Sequence, residues 1–596
     1  MPQKTLPLEL NQGTYLGEIQ SQNNSPRPVE VYRGIPYAQS TTGQNRFRAP
    51  QPLNSIKFNL NRALAFGHVC PQNGGGSNQG EDCLNLNIYR PHFGDTAESA
   101  AAEMTRLGVY GKKLPIVIYV HGGGFNSGSG AERNMASFVA WAEAPIIGIS
   151  FNYRVGALGF LPSGLTAEEG ALNLGLKDQQ FLFRWVQKNA EDIGGDPNNI
   201  TLMGLSAGAH SIGHHLISYS PANKLTSDPV PFQKAILESG GSTARATFAA
   251  THPLHEQQFQ EFLTGCGLEK TSSGELFAQL RALPLSTIVA ASNSVWGRWT
   301  STLRWPFQPV IDGPGGVIPD LPLRSWEKGN ALRIPILTGF NTNEGATFVP
   351  TRESNTTALR NLMSSIVPAL NSTDLEFLNT LYPDPSSSLG QRLYITNPPA
   401  GFGTQFWRLD DAYAHYAYIC PVLQTSHLAS TAQRAGPVYT YQYAARSNAR
   451  GAADHGDEAI VVAHDMGAVG RFPGIVEIAD AMIGSWTRFA VTGDPNPVSG
   501  GNDTTDVVWP KFASPFVSDS TAGTNDTGHI LLFGQGNDER MGTRGRQNKG
   551  VVAQTSRLSD RETEQCRFWF SKVPLSEGLG NGTTIIATNQ TTKARL

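Results

Sequence analysis

The sequence has no long apolar run, no excess of one charge and no closely spaced cysteine pair. No run in its 596 residues approaches the ~20 apolar residues that span a bilayer, so a transmembrane segment is not expected. A net charge of −3 with 16% charged residues provides no basic stripe, so nucleic acid is not an expected partner. None of the five cysteines has Cys-x-x-Cys spacing, so a metal site is not expected either.

The first residues also lack an uninterrupted apolar stretch. If Met1 is the native start, the segment Met1–Leu10 is not a signal peptide, and a cytoplasmic location is predicted. Pairable cysteines and several glycosylation sequons favour the alternative, which is secretion. The sequons begin at Asn23, Asn199, Asn355, Asn371, Asn502, Asn525, Asn581 and Asn589.

Short β-prone runs alternate with segments of helical periodicity over much of the chain. Leu114 to Val120, Ile146 to Asn152 and Ile334 to Thr338 are nearly continuous apolar runs, which is typical of strands buried on both faces. Helical patterns separate them. This alternation predicts an α/β protein with a large, mostly parallel central sheet and helices on both faces.

The most informative stretch is Gly204-Leu205-Ser206-Ala207-Gly208, which fits G-x-S-x-G. A β-prone run, Ile200 to Met203, precedes it, and good helix formers follow it. A turn from strand to helix within two residues needs glycine on both sides and exposes the serine hydroxyl. On its own, the motif is equally compatible with a glycine-rich turn capped by serine.

A second glycine-rich stretch directly follows the buried run Leu114 to Val120. It reads His121-Gly122-Gly123-Gly124-Phe125, and consecutive glycines can turn their amides inward. Its position is similar to that of the oxyanion loop of an α/β-hydrolase. The amides of Gly123 and Gly124, joined by Ala207, are therefore predicted to bind an oxyanion.

These motifs, together with Asn341-Thr342-Asn343-Glu344-Gly345 and His455-Gly456-Asp457-Glu458, resemble the type-B carboxylesterase family, which includes cholinesterases and some fungal lipases. The resemblance extends from about Gly13 to about Pro574. It implies the α/β-hydrolase fold and a catalytic triad of Ser206, Glu344 and His455, in the chain order nucleophile, acid, base. It implies no metal or organic cofactor.

The resemblance also implies structural features. Cys70 would pair with Cys83, and Cys420 with Cys566, which leaves Cys266 as a thiol that is expected to be buried. Buried ion pairs are expected between Arg46 and Glu81 and between Arg154 and Asp178. Residues 1–574 would form one carboxylesterase domain, and residues 575–596 a polar tail.

Departures from the family pattern narrow the expected substrate to a mostly uncharged small ester. Leu205 stands where the family usually has Glu, and the Cys70–Cys83 loop has no aromatic residue for a choline group. That loop is also short and polar, unlike the apolar lid of the fungal lipases. Phe125 and Trp305, with Leu205, are the predicted substrate-pocket residues.

The sequence therefore predicts a serine carboxylic-ester hydrolase that works through an acyl-enzyme. One alternative is an acyltransferase or cyclising enzyme of secondary metabolism that uses the same acyl-enzyme, because the acceptor depends on the shape of the gorge. A less favoured alternative is a non-catalytic binding protein of cholinesterase-like fold. The natural substrate and the oligomeric state are not determined by the sequence.

Overall fold

The computed structural model describes residues 5–21, 25–53, 60–223, 229–244, 247–396, 398–432, 436–448, 450–497, 507–517 and 526–576. Within these ranges, thirteen strands form one mixed sheet. They are β1 (Thr5–Leu10), β2 (Gly13–Gln20), β3 (Val29–Pro36), β4 (Leu60–Arg62), β5 (Asn85–Pro91), β6 (Leu114–Val120), β7 (Ile147–Phe151), β8 (Gly195–Leu205), β9 (Lys234–Glu238), β10 (Ile336–Asn341), β11 (Val438–Tyr443), β12 (His529–Gln535) and β13 (Val551–Arg557).

The sheet has a parallel centre and antiparallel edges. Its spatial order is β1-β2-β3-β5-β7-β6-β8-β9-β10-β11-β12-β13, and β4 pairs with β2. All neighbours from β7 through β12 run parallel, as does the β2–β4 pair. The β12–β13 pair and the remaining pairs from β1 to β7 are antiparallel. The carboxyl ends of the parallel strands therefore meet at one edge, where ligands bind in open α/β sheets.

The α-helices pack around this sheet. They are α1 (Ala97–Arg106), α2 (Met135–Trp141), α3 (Gly156–Gly159), α4 (Gly164–Glu168), α5 (Leu174–Asn189), α6 (Ala207–Ser218), α7 (Pro253–Cys266), α8 (Ser273–Ala282), α9 (Leu285–Trp299), α10 (Pro322–Glu327), α11 (Ala358–Ile366), α12 (Ser372–Leu381), α13 (Gly390–Leu393), α14 (Phe406–Ala414), α15 (Cys420–Thr431), α16 (Ala459–Val462), α17 (Met466–Val469), α18 (Pro473–Thr492) and α19 (Asp560–Ser576). None of the described helices is long and apolar enough to cross a membrane.

Two apolar cores lie on opposite faces of the sheet. Along β6, Ile116 and Ile118 belong to one core, and Val117 and Tyr119 belong to the other, because successive side chains of a strand point to opposite faces. Helices α5 and α6 cover the first face, and α2 and α18 cover the second. The predicted α/β-hydrolase architecture, with helices on both faces, is confirmed.

The strand that precedes Glu344 is displaced from its prediction. It was expected from Ile334 to Thr338, but β10 begins at Ile336 and continues to Asn341. Pro335 has no N–H for a ladder hydrogen bond, which explains the later start. The strand continues past Gly339 because its pairing with β11 extends to Asn341 opposite Tyr443. Glycine is needed at 339, where a Cβ atom would lie 2.1 Å from Cδ1 of Tyr441.

Both expected disulfides form, Cys70–Cys83 and Cys420–Cys566, and the second joins the start of α15 to α19. Cys266 is free and buried, and burial raises the pKa of its thiol to about 11. The predicted tail starts at residue 575, within α19, and residues 577–596 lie outside the described part of the chain. The division into a domain and a tail stays a prediction.

The two expected ion pairs are buried and bidentate. Arg154 donates to the two carboxylate oxygens of Asp178 at 2.8 and 2.6 Å. Arg46 does the same to Glu81 at 2.6 and 2.7 Å. Bidentate guanidinium–carboxylate geometry provides strong, directional hydrogen bonds, which here fix the loops after β3 and β7 against the rest of the fold.

Candidate active site

Ser206 lies at a sharp turn between β8 and α6, with φ 57° and ψ −121°. A Cβ atom at Gly204 would lie 2.7 Å from the carbonyl carbon of Gly208, and one at Gly208 would lie 2.0 Å from the Val120 carbonyl oxygen. Only glycine fits at either position. The turn thus brings Ser206 to the carboxyl end of the sheet in a backbone conformation that is costly for a non-glycine residue.

The glycine loop after β6 lies directly against this turn. A Cβ atom at Gly122 would be 2.9 Å from the Leu205 carbonyl oxygen and 3.2 Å from Cβ of Ser206. The loop therefore brings its backbone within a few ångströms of the candidate nucleophile. This close approach explains the run of glycines better than chain flexibility does.

Hydrogen bonds to two carbonyl groups orient the loop amides. His121 Nδ1 contacts the Gly122 carbonyl oxygen at 2.9 Å, and the amides of Asn126 and Ser127 donate to the Gly123 carbonyl oxygen at 3.0 Å. In a trans peptide the C=O and N–H groups point in opposite directions. The N–H groups of Gly123 and Gly124 consequently point away from these donors.

Three amides are available in this region. The N–H groups of Gly123, Gly124 and Ala207 donate no hydrogen bond within the described chain. Ala207 is the first residue of α6, where helix N–H groups have no intrahelical acceptor. Free amides at a helix N-terminus, beside a glycine loop, can bind an oxyanion.

Glu344 and His455 are in direct contact. His455 Nδ1 lies 2.5 Å from Glu344 Oε2. The other carboxylate oxygen accepts hydrogen bonds from the Asn341 amide at 2.7 Å and from Ser239 Oγ at 2.6 Å. Glu344 is completely buried, so these three donors hold its carboxylate in one orientation.

The opposite side of the imidazole remains open for a further bond. Nε2 of His455 is buried and has no hydrogen-bond partner among the described residues, so Ser206 and His455 are not hydrogen-bonded to each other. The His455 ring packs against Tyr418 and Phe348, with ring centroids 4.3 and 5.2 Å apart. Tyr418 belongs to a π-helical turn, His415–Ile419, between α14 and α15, and such turns are frequent at functional sites.

A cluster of buried carboxylic acids lies beneath the site. Glu458 is packed among Ser239, Asn341 and Tyr441. Burial, followed by the charges of Glu238 and Glu344, raises the pKa of Glu458 to about 8. Glu238 is paired with Arg133 at 2.5 Å. Burial and these neighbouring charges therefore favour the neutral form of Glu458.

The three residues predicted for the substrate pocket lie in different surroundings. The six-membered ring of Trp305 covers Gly124, 2.6 Å from where a Cβ atom would be, and its centroid is 5.7 Å from that of Phe348. Leu205 is half-buried and packs against Gly456. Phe125 is only 3% exposed and its ring contacts Phe160, which places it beneath the loop.

Several residues in this region were not anticipated from the sequence. Ser239 follows β9 directly, a position where parallel strands commonly place functional side chains. This position could have identified Ser239 as a candidate site residue from the sequence. Gln308, whose Nε2 donates to the Gly124 carbonyl oxygen at 2.9 Å, and Tyr418 have no such signal, because the fold brings them in from distant parts of the chain. Among the described residues, no cluster of three or more His, Cys, Asp or Glu side chains could hold a metal ion.

Comparison with known proteins identifies the family. The carboxylesterase family matches residues 4–527. The chain belongs to this family. It is 36% identical over 432 residues to Secreted lipase 4 of Gibberella zeae, covering 70% of this chain and 72% of that protein. It is 30% identical over 410 residues to para-nitrobenzyl esterase of Bacillus subtilis, covering 65% of this chain and 73% of that protein.

The fold is similar to that of a solved fungal protein, EstA of Aspergillus niger. The TM-score is 0.74 at 23% identity, over 96% of this chain and 99% of that one. The predicted family and enzyme class are therefore confirmed: this carboxylesterase is a carboxylic ester hydrolase that acts on small-molecule esters. The predicted cytoplasmic location is not supported, whereas two disulfides and a relative named as secreted agree with the alternative.

Proposed function

We propose that this carboxylesterase hydrolyses its substrate through an acyl-enzyme formed on Ser206, with His455 as base and Glu344 as its orienting acid. The observation that carries the proposal is the 2.5 Å contact between His455 Nδ1 and Glu344 Oε2. A carboxylate that accepts from Nδ1–H leaves Nε2 as the basic nitrogen. Nε2 is the atom without a partner among the described residues.

The chemical steps follow from this arrangement. The Ser206 hydroxyl transfers its proton to His455 Nε2 as its oxygen attacks the ester carbonyl carbon. The resulting oxyanion receives hydrogen bonds from the amides of Gly123, Gly124 and Ala207, each contributing roughly 3–4 kcal/mol. His455 then protonates the leaving alcohol, and water hydrolyses the acyl-enzyme by the same steps in reverse order.

We further propose a mostly uncharged ester of short or medium chain length. Leu205 and the rings of Trp305, Phe348 and Tyr418 supply apolar surface near His455. The Cys70–Cys83 loop is tied down rather than free to act as a lid. Gln72 in this loop donates to the Gly128 carbonyl oxygen at 2.9 Å and accepts from the Gly128 amide at 2.7 Å.

The test is kcat/KM for p-nitrophenyl esters of increasing acyl length. Short and medium chains should be turned over best. Ser206→Ala should lower kcat by roughly a millionfold and Glu344→Gln by about ten-thousandfold, while Glu376→Gln, on the exposed side of α12, is the charge-matched control.

Other outcomes would contradict the proposal in distinct ways. A preference for long chains would indicate a lipase. Stoichiometric release of p-nitrophenol that then stalls would indicate an acyltransferase that requires another acceptor. Failure of a fluorophosphonate probe to label the wild-type protein at Ser206 would indicate a non-catalytic binding protein.

We also propose that the protein is secreted. Its two disulfides are of the kind that persists in oxidising compartments, and the similarity to Secreted lipase 4 points the same way. Fractionation of expressing cells, with a non-reducing gel, tests this. Enzyme found only inside the cell with reduced cysteines would contradict it.

A further inference from the structure

A small cavity is lined in part by Trp305, whose ring lies against the oxyanion loop. Its volume is about 50 Å³, and it is lined by Phe248, Leu254, His255, Leu303, Arg304, Trp305, Gln308, Ile366, Tyr413 and Tyr416. Two of these residues connect it to the oxyanion loop: the Trp305 ring covers Gly124, and Gln308 Nε2 donates to the Gly124 carbonyl oxygen at 2.9 Å. The cavity therefore lies directly beside the oxyanion loop.

His255 in the wall of this cavity has unused hydrogen-bonding groups. It is 2% exposed, and neither Nδ1 nor Nε2 makes a hydrogen bond of standard geometry among the described residues; the Gln258 side chain is its polar neighbour and partly opposes the effect of burial on its pKa. Burial lowers the pKa of its imidazole to about 3, so the ring is neutral at physiological pH. A neutral imidazole offers one N–H donor and one acceptor nitrogen, and leaving both unpaired in a buried place is costly.

Two polar side chains lie near His255. Gln258, one turn after His255 on α7, is 2% exposed, and its side chain interacts with the His255 imidazole behind the cavity wall. Its Nε2 donates to the Arg304 carbonyl oxygen at 3.0 Å, which fixes the amide. The half-buried guanidinium of Arg304 lines the same cavity. The cavity thus combines hydrogen-bond donors and acceptors with aromatic walls.

We infer that this cavity is a specificity subsite for an aromatic ester moiety whose ring carries a hydroxyl group, with His255 as the residue that recognises the hydroxyl. The inference rests on the proposed esterase function and adds the substrate class. A ring hydroxyl both donates and accepts a hydrogen bond, as neutral imidazole does. Phe248, Trp305, Tyr413 and Tyr416 provide the apolar surface that an aromatic ring contacts.

The size of the cavity fits a substituent rather than a whole substrate. A cavity of about 150 Å³ holds a benzene ring, so one of about 50 Å³ admits only part of a ring, such as a hydroxyl group and the carbon that bears it. An unsubstituted ring would leave the imidazole unpaired, and sites built around a hydrogen bond discriminate strongly against substrates that lack it.

The experiment compares kcat/KM for matched ester pairs by pH-stat titration. One series uses methyl 3-phenylpropanoate and its 3- and 4-hydroxy ring derivatives; the other uses 2-phenylethyl acetate and its ring-hydroxylated derivatives, so that the hydroxyl is tested in both halves of the ester. In at least one of the two series, the wild-type kcat/KM for a hydroxylated ester should exceed that for the unsubstituted ester by about tenfold or more. This is the factor expected for one buried hydrogen bond.

Variants assign the preference to His255. His255→Phe should reduce the ratio of kcat/KM for the hydroxylated and unsubstituted esters to near one. His255→Asn, which keeps a donor and an acceptor, should retain part of it. His427→Phe is the matched control, because His427 is half-buried among phenylalanine rings on α15, outside the cavity. Equal kcat/KM within every wild-type pair, or a ratio unchanged in His255→Phe, would overturn the inference.

A binding measurement separates this inference from the proposed reaction. With Ser206→Ala, the ring-hydroxylated phenylpropanoic acid should bind about tenfold more tightly than the unsubstituted acid, and should shift a ¹⁵N-histidine resonance that is missing in Ser206→Ala/His255→Phe. This result would support the subsite even if no ester were hydrolysed. Tighter binding of the ring-carboxylated acid than of the hydroxylated acid would overturn the hydroxyl assignment.

Discussion

At the scale of single residues, the carboxyl group of Glu458 links the site to pH. Its pKa in the folded protein is raised to about 8 from an ordinary value of 4.5 by burial and by the charges of Glu238 and Glu344. Between these two values the folded protein keeps a proton that the unfolded chain releases. The stability due to this proton is complete below about pH 4.5, decreases as the pH rises, and is lost above about pH 8.

Replacing Glu458 with glutamine should therefore flatten the alkaline part of the stability profile. The amide mimics the neutral carboxylic acid and cannot ionise, so Tm should decrease less between pH 6 and pH 9 than in the wild type. Thermal unfolding followed by circular dichroism across this range measures the difference. Parallel Tm profiles for the two proteins would show that Glu458 does not titrate in this interval.

The sequence allowed a residue's role to be predicted where that residue belongs to a short local motif. The glycine-rich loops and the candidate residues Ser206, Glu344 and His455 are all recognisable from short sequence patterns, and the triad remains a prediction until variants are tested. Ser239 and Tyr418 were not predictable as partners of Glu344 and His455, because they approach from β9 and from the π-helical turn. Such contacts depend on the packing of distant elements.

At the scale of elements, the junction of β8 and α6 depends on the absence of a side chain at Gly208. Gly208→Ala would place a methyl group 2.0 Å from the Val120 carbonyl oxygen, and both elements belong to the core. We expect a loss of at least about 3 kcal/mol in unfolding free energy, together with loss of esterase activity. Urea unfolding and ester turnover measure the two effects.

A helical glycine elsewhere provides the control for this change. Gly297 lies on the exposed side of α9, and a Cβ atom there would have no heavy atom within 4 Å. Gly297→Ala should leave activity unchanged and add about 0.4–1 kcal/mol of stability. If both alanine variants behaved alike, the steric account of the junction would be wrong.

The start of α5 depends on the buried pair of Arg154 and Asp178. Their side chains are 2% and 0% exposed, so Asp178→Asn would leave a buried guanidinium without its counter-charge. The expected loss is about 3–5 kcal/mol, measurable by urea unfolding. Glu191→Gln breaks the exposed pair with Lys113 and should cost no more than about 1 kcal/mol. Equal losses would contradict the burial argument.

At the scale of the whole molecule, the two disulfides close loops of very different length. Cys420–Cys566 spans 146 residues and Cys70–Cys83 spans 13. The chain-entropy relation assigns about 5 kcal/mol to the long loop and about 3 kcal/mol to the short one. Removing the long-range disulfide with a pair of Cys→Ser substitutions should therefore lower Tm more than removing the short one.

Differential scanning calorimetry of the two double variants measures this difference. Each variant should be compared with the reduced wild type, in which both loops are open. A larger loss for Cys70→Ser/Cys83→Ser would mean that local strain or packing near the oxyanion loop outweighs loop entropy.

The overall architecture was largely predictable, because the alternation of apolar runs and helical segments determines a parallel sheet with two covered faces. The exact ends of the strands were not predictable, as β10 illustrates. Its start depends on Pro335, and its extension to Asn341 depends on the length of its pairing with β11. The antiparallel β13 at the edge has few buried residues, so it lacks the apolar pattern by which a strand is recognised.

The strand order also has a consequence for how the enzyme is made. From β8 through β13, neighbours in the sheet follow the order of the chain, so a nascent polypeptide can add each strand to the edge left by the previous one. Ser206, Glu344 and His455 emerge from the ribosome in that order, and α19, which carries the partner of Cys420, emerges after them. Under the proposed mechanism, a ribosome-bound chain that ends between residues 206 and 455 contains the nucleophile but no base, so ester hydrolysis begins only after most of the protein has been synthesised.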